Sequence, residues 1–456
     1  MNSRRMNDIS RGIFFVALPL VSIGLACAAH AQGNPPETDR ATLFQNVRIF
    51  DGKGASLSAP SNVLIKSNKI ERISTEAIAA EPGVTTIAGN GRTLMPGLID
   101  AHWHAMMIRP NPAQAIAGDV GYNNISASVE ATDTLMRGFT TVRDVGGPVF
   151  GLKQAIDEGL IAGPRIWPSG AVITVTSGHG DFRQLSELPR TIGGMLSRME
   201  QIGGSMVADS PDEVRVRVRE QLMQGASQIK LTAGGGVSSP FSPIDASTFT
   251  EGELRAAVEA AENWGTYVTV HAFTPAAIQR AIAAGVRCIE HGFLMDEATA
   301  KLIAEKGIWL SPQPLPEGLR EGFKPGSVQR EKADEVWPGI ARTYELAKKY
   351  KLKTAWGTDV LFSQALAQQQ GAILASLVRW YSPAEALVMA TATNAELLAL
   401  SGKRAPYRGK LGVVEQGALA DLLLLDGNPL ENINLIADPR NFKVIMKDGR
   451  IYKNAS

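Results

Sequence analysis

Apolar and polar positions alternate with two different periods along this chain, and the changes of period divide it into three stretches. Residues 42–95 carry short alternating runs, LFQNVRIFDG, NVLIKSNKIERIS and GVTTIAGNGRTLMPG, each broken by Gly, Asn or Asp, and they read as strands joined by turns. From residue 97 short apolar runs alternate with longer patterns of helical period. Helices are predicted at Glu251 to Trp264, Pro275 to Ala284, Asp296 to Lys306 and Pro383 to Leu400. Eight strands are predicted in the same region: Leu98 to His104, Thr140 to Arg143, Arg165 to Val175, Gln228 to Thr232, Tyr267 to His271, Arg287 to His291, Ile308 to Ser311 and Thr354 to Gly357. Such a series predicts an α/β chain closed as a (β/α)8 TIM barrel over residues 96–408, with its chemistry at the C-terminal ends of the strands. After Gly409 the strand pattern returns in GKLGVVEQGALADLLLLD and FKVIMKDGRIYKN. Residues 42–95 and 409–455 are therefore expected to meet as one small β-sandwich domain. The Pro- and Gly-rich stretch Pro312 to Gly326 is expected to be a loop bordering the site.

Composition changes this picture mainly by exclusion. The chain has 456 residues, a net charge of +1, 44% hydrophobic and 20% charged residues, so it buries a large core and has no general attraction for nucleic acid or anionic membranes. Residues 1–31 have the form of a removable secretory signal: Arg4, Arg5 and Arg11 precede an apolar run from Gly12 to Ala26, and Ala29-His30-Ala31 offers the cleavage site. That run is short for a membrane span. Cleavage after Ala31 predicts an exported protein, periplasmic or secreted, free of the membrane and compatible with a homo-oligomer. Two other readings attach here. Cys27 is a candidate for lipid attachment, against which Gly24 argues, and Ser3-Arg4-Arg5 hints at twin-arginine export, against which Asn7 and Asp8 argue. Outside the signal the one cysteine is Cys288, so no disulfide forms within the mature chain.

Candidate chemistry gathers at the predicted strand ends. In LMPGLIDAHWHA a strand over Ile99 to His104 turns Asp100, His102 and His104 to one face, and two imidazoles at one strand end suit zinc or another borderline divalent metal. Alone, that pattern reads as readily as a polar strand end with two unrelated histidines. Five histidines lie outside the signal, and four of them, His102, His104, His271 and His291, fall at predicted strand ends. In YVTVHAF, His271 shares a face with Tyr267 and Thr269; in RCIEHG, His291 shares a face with Ile289. Lys230, in QIKLTAGGG, faces the barrel because Ile229 and Leu231 face the helices. A buried ammonium needs a partner or a chemical change: it either pairs with a barrel carboxylate or, carboxylated by carbon dioxide, becomes an anionic ligand able to bridge two metals. Asp359 follows the strand KTAWGTDV, where a carboxylate binds metal and accepts protons, or else caps a helix.

This set resembles the amidohydrolase superfamily: HxH after the first barrel strand in a PGLIDAHWH context, lysine on the fourth, histidines ending the fifth and sixth, aspartate on the eighth. The resemblance runs from about residue 42 to the end. It implies that His102, His104 and Asp359 hold one divalent metal ion, zinc by preference, that His271 and His291 hold a second, and that carboxylated Lys230 bridges the two. GFTTVRDVGG at 138–147, SGHGD at 177–181, IKLTAGGGVSSP at 229–240 and AAGVRCIEHG at 283–292 are similar to secreted Xaa-Pro-type dipeptidases, imidazolonepropionase-like amidohydrolases and ochratoxin-hydrolysing amidohydrolases. Imidazolonepropionase itself, with one metal and no bridging lysine, is less similar. The implied reaction is hydrolysis of the amide bond of a small N-acyl amino acid or dipeptide, an ochratoxin-like amide included, releasing the C-terminal amino acid. Asp359 would move the proton. A cyclic amide or lactone opened on the same metals is the alternative.

Further candidates concern substrate. His179, in TVTSGHGD, is expected to hydrogen-bond the substrate carbonyl with Asp181 orienting it, or else to be a loop histidine satisfied by backbone. Arg143 is expected near the rim, either receiving a substrate carboxylate or forming an ion pair with Asp144. Gly234-Gly235-Gly236 has no GK[ST] after it and reads as a close turn that lets Val237, Ser238 and Ser239 line the site. Met106, Met107, Phe241 and Trp309 are candidates for an apolar wall, or simply core.

Overall fold

The computed structural model describes residues 41–456; the signal read over residues 1–31, with Cys27, lies outside the described residues. The chain begins with β1 (Ala41–Ile49), β2 (Ser61–Lys66), β3 (Lys69–Ser74), β4 (Thr85–Ala88) and β5 (Thr93–Pro96). Then come β6 (Leu98–Trp103), β7 (Phe139–Asp144), β8 (Arg165–Pro168), β9 (Val172–Thr174), β10 (Ser205–Val207), β11 (Ile229–Thr232), β12 (Val268–Ala272), β13 (Cys288–His291), β14 (Trp309–Ser311) and β15 (Lys353–Thr354). It ends with β16 (Leu422–Leu425), β17 (Phe442–Lys447) and β18 (Arg450–Asn454).

The two flanks share one sheet, ordered β18-β17-β16-β5-β1-β2-β3, with β4 on β1. The junction is β16 lying antiparallel on β5, Leu422 opposite Pro96 and Leu424 opposite Leu94. All four leucines of β16 are buried, and the two-residue period of a strand divides them. Leu422 and Leu424 pack with Phe44, Val63 and Ile65 in the flank's own core, whereas Leu423 and Leu425 join the large core that holds Leu98, Phe139 and Trp356. At about 1.5–3 kcal/mol for each buried leucine, this strand fastens the flanking sheet to the central region.

The central strands are parallel and fall in two groups, β6-β7-β8 and β10-β9-β11-β12-β13-β14-β15. Two backbone hydrogen bonds join the outer strand of the first group to the segment following β15: Ala101 N–H donates to the Trp356 carbonyl at 3.1 Å, and Asp359 N–H to the His102 carbonyl at 2.9 Å. Ile229 and Leu231 pack outward with the helices, as the alternation predicts, and Lys230 turns inward.

Three elements differ from expectation. The third strand, expected as one piece over Arg165 to Val175, is two, β8 and β9, separated by a turn in which Gly170 takes φ +75°. The eighth is regular only at Lys353–Thr354. The helix expected over Pro383 to Leu400 is α-helical at Pro383–Val388 and Asn394–Ala399, with a wider π turn at Met389–Thr393 between. Tertiary bonds accompany the change: Asn394 Nδ2 donates to the carbonyls of Ile99 and Trp356 while its Oδ1 accepts from Trp356 N–H, so the second half of the helix is pinned across β6 and the segment after β15. Among the described residues no helix is long and apolar enough to cross a membrane.

Candidate active site

The strand ends bring the predicted residues to one place. His102 and His104 close β6, His179 follows β9, Lys230 lies on β11, His271 on β12, His291 on β13, and Asp359 follows β15. All seven line one cavity of about 1380 Å³. His102 Nε2 and His104 Nε2 each lie 3.3 Å from Asp359 Oδ1, and the three donor atoms are within 4.8 Å of one another. His291 Nδ1 is 3.9 Å from Asp359 Oδ2. The histidine rings form a wall, with centroids 5.0 Å apart for His102 and His291, 4.4 Å for His271 and His291, and 4.3 Å for His179 and His271.

Backbone geometry aims two of these groups. On β13, Ile289 packs outward with Val270, Ile278 and Ile303, and strict alternation sends His291 the same way. His291 instead takes φ +72°, which swings its ring into the cavity, so it does not share the face of Ile289. Asp359 has φ +52°. Left-handed backbone is unfavourable for residues with a Cβ and collects at functional sites.

Hydrogen bonds fix which nitrogen each ring presents. His102 Nδ1 donates to Glu290 Oε2 at 2.8 Å and His104 Nδ1 to the Gly146 carbonyl at 3.0 Å, leaving both Nε2 lone pairs directed at Asp359. His271 Nε2 donates to the Gly235 carbonyl at 2.8 Å, and His291 Nδ1 meets Gln313 Oε1 at 2.6 Å. This donor set fits a divalent cation. Two imidazole lone pairs and a carboxylate oxygen suit zinc, and a separation of 3.3 Å matches the edge of a tetrahedron whose ligand bonds are about 2.0–2.1 Å.

Electrostatics agree with ligand roles. Burial tends to raise the Asp359 carboxyl, but the neighbouring imidazoles of His102, His104 and His291 hold it well below the usual carboxylate range. Burial pushes His291 down to about 3 and keeps His271 well below its ordinary value, with the neighbouring rings adding to the effect. His104 goes the other way: burial lowers it, and Asp359 more than compensates. Burial also lowers Lys230. A lowered pKa favours the neutral amine, the form that carboxylation requires.

Arg143 corrects an expectation. It is fully buried in the interior, not at the rim, and its ion-pair partner is Glu290 rather than Asp144. Its Nη2 lies 2.6 Å from Glu290 Oε1, its Nε donates to the Ala101 carbonyl at 2.6 Å, and Nη1 donates to Tyr267 Oη at 3.2 Å. The reason is position: Arg143 sits one residue before the end of β7, below the mouth. Burial works to raise Glu290, but the Arg143 guanidinium, with His102, holds it well below the usual range. Asp144 accepts from Ala105 N–H and Gly146 N–H instead.

His179 also has a different partner from the one expected. Asp181 pairs with Arg183 at 2.6 Å, while His179 Nδ1 lies 2.9 Å from Ser239 Oγ. The half-buried ring is close-packed, and desolvation together with Lys230 pushes it down to about 3. Val237 and Ser238 line the cavity, as do Met107 and Phe241; Met106 and Trp309 belong to the core. Glu290 and Gln313 were not singled out from the sequence. Neither was the apolar lining of Phe273 and Phe293, whose rings stack at 5.7 Å, although Leu315, Leu319 and Phe323 come from the stretch Pro312 to Gly326, which borders the cavity as expected but carries a short helix at Glu317–Glu321.

A parallel α/β fold whose strand ends present two imidazoles and a carboxylate around one point defines a class of metal-site hydrolases. The amidohydrolase family pattern matches residues 93–452, and the chain belongs to that family. Ochratoxinase of Aspergillus niger is 31% identical over 387 residues, covering 79% of this chain and 75% of that protein. A prolidase crystallised with N-methylphosphonate-L-proline is 34% identical, with a TM-score of 0.83 over 91% of this chain and all of the other. A Xaa-Pro dipeptidase with methionine in its active site is 32% identical, with a TM-score of 0.80 over 91% of this chain and 100% of that one.

Proposed function

We propose that the chain is a binuclear, zinc-dependent amidohydrolase that cleaves the amide bond of N-acyl amino acids or dipeptides, ochratoxin A among them, and releases the C-terminal amino acid. The observation that carries this reading is Asp359 Oδ1 at 3.3 Å from two imidazole nitrogens, in a cavity that five histidines and Lys230 line. His102, His104 and Asp359 would hold one ion and His271 and His291 the other, with carboxylated Lys230 between. The architecture that goes with it is a closed barrel over residues 96–408 and a β-sandwich from residues 42–95 and 409–455, exported after loss of residues 1–31. Ochratoxinase, the prolidase and the Xaa-Pro dipeptidase among the relatives support the substrate class.

Bound divalent ions supply Lewis acidity and water acidic enough to react near neutral pH. Asp359, ionised, takes a proton from the attacking water and passes it to the departing amine nitrogen. His179, neutral, donates a hydrogen bond from Nε2 to the substrate carbonyl oxygen as charge develops there. Ser239 suits that tautomer: its Oγ accepts from Gly180 N–H at 2.9 Å and lies 2.9 Å from His179 Nδ1, so its hydroxyl proton is available to Nδ1 when the ring hydrogen is on Nε2. Phe273, Phe293, Phe241 and Phe323 offer an apolar bed for the acyl side, in a cavity larger than a dipeptide requires.

The test is hydrolysis by zinc-loaded mature protein of N-acyl amino acids, Xaa-Pro, Xaa-Arg and Xaa-Phe dipeptides and ochratoxin A beside hydantoins and lactones. Cleavage of the linear amides is expected. Turnover confined to the cyclic compounds would replace this reading with the cyclic amide or lactone alternative.

A further inference from the structure

We infer that Lys332 is a positioning residue for His179, acting through the backbone of residues 236–242. The kinetic part of this inference rests on the role proposed for His179; the structural part does not.

Lys332 lies on the helix Val328–Val336, in the stretch between β14 and β15. Its ammonium donates to three carbonyl oxygens of one distant loop: Gly236 at 3.3 Å, Ser239 at 2.8 Å and Ser242 at 2.6 Å. An ammonium has three hydrogens, and all three are used. Among the described residues it makes no ion pair, and burial alone accounts for its lowered pKa. A half-buried cation without a counter-ion is unfavourable unless strong acceptors replace water, so its presence fixes where those carbonyls converge.

What the loop carries explains why its shape matters. Ser239, between two of the clamped carbonyls, gives His179 Nδ1 its hydrogen-bond partner and takes the Gly180 N–H. Gly236, whose carbonyl is clamped, runs directly beneath the His179 ring; a Cβ there would stand 2.2 Å from Nδ1. One residue earlier, the Gly235 carbonyl accepts from His271 Nε2. Val237 and Ser238, inside the clamped span, line the cavity. Lys332 thus couples the helix over the cavity, which also contributes Gln329, Val336 and the adjacent Trp337 to its wall, to the orientation of the group assigned to the carbonyl oxygen.

The experiment compares full-length zinc-loaded wild type with Lys332→Met, Lys332→Arg, Ser239→Ala and the Lys332→Met/Ser239→Ala pair. Amide hydrogen exchange, metal content and hydrolysis kinetics are measured for each. Lys332→Met is expected to exchange at least about ten-fold faster at residues 178–181 and 235–242. Its kcat is expected to fall by about ten- to a hundred-fold, with KM and metal content within about two-fold of wild type. Lys332→Arg restores most of both, and Lys332→Met adds little on the Ser239→Ala background because the two act on one path. Unchanged exchange in Lys332→Met, kcat losses that multiply in the pair, or a defect confined to KM overturns the inference. Should Lys332→Met fail to fold, Ser239→Ala carries the test, and full kcat in that variant sinks the link to His179. A wild type that cleaves no amide, with Lys332→Met still loosening the loop, leaves the clamp standing and removes the proposed function instead.

Discussion

Arg143 and Glu290 show how much of the site's chemistry is set one layer behind the residues that face the cavity. Glu290 holds His102 in the tautomer that presents Nε2, and Arg143 keeps Glu290 ionised in a fully buried position. Replacing Arg143 with Met leaves a buried carboxylate without its counter-charge, so unfolding free energy should fall by about 3–5 kcal/mol and metal content should fall with it. Denaturant unfolding and metal analysis check this. A raised KM with stability and metal unchanged would instead fit an arginine that receives substrate. The sequence showed the facing residues and not this layer for a physical reason. A histidine at a strand end is visible in its own local pattern, whereas the pairing of Arg143 with Glu290 spans 147 positions and exists only after the strands assemble. Glu290, beside His291, was hidden by a more conspicuous neighbour.

Among elements, regular alternation read correctly where strands are buried on both faces, as on β11 and β12, and misled where an end residue leaves regular geometry. His291 is the clearest case, because its positive φ reverses the direction that the period assigns. The helix expected over Pro383 to Leu400 has a good helical pattern, but the bonds of Asn394 to Ile99 and Trp356 accompany a π turn that no local pattern encodes. The turn after β11 was recognised for its glycines and not for its contacts. Gly236→Ala puts a methyl into the His179 ring at a position with no backbone strain of its own, so the ring or the loop must move. A fall in kcat of about ten-fold or more is expected, with thermal stability changed by only a few degrees. Equal kcat in that variant would show that His179 does not need its present orientation.

At the scale of the whole molecule, the flanking sheet is tied to the central strands by charge as well as by β16. Arg165 on β8 pairs with Asp421 at 2.7 Å and Asp448 at 2.5 Å, and Lys447 on β17 is buried beside them. Burial, with Arg165 adding its repulsion, pulls the Lys447 ammonium down to about 8 from its ordinary 10.5. Between these values the unfolded chain binds the proton more tightly, so this residue's contribution to stability rises with pH across that window and is lowest below it. Lys447→Met should therefore stabilise the protein by about 1–3 kcal/mol at pH 7, a gain that shrinks as pH approaches 10. Denaturant midpoints at several pH values check it, and a gain independent of pH would contradict it. That residues 42–95 and 409–455 are both built of strands was legible because both ends carry two-residue periods around a middle that does not; that β16 meets β5 was not, since both are buried at every position and show no alternation.

As proposed, His102, His104, Lys230, His271, His291 and Asp359 form one centre that hydrolyses amides with two metal ions. The measurement that tests it most directly is a titration of metal-depleted protein with zinc, following hydrolysis of an N-acyl amino acid. Activity should saturate at about two equivalents in the wild type, and Asp359→Asn should lose about 10²- to 10⁴-fold in kcat. Saturation at one equivalent, with Lys230→Ala as active as the wild type, would contradict it.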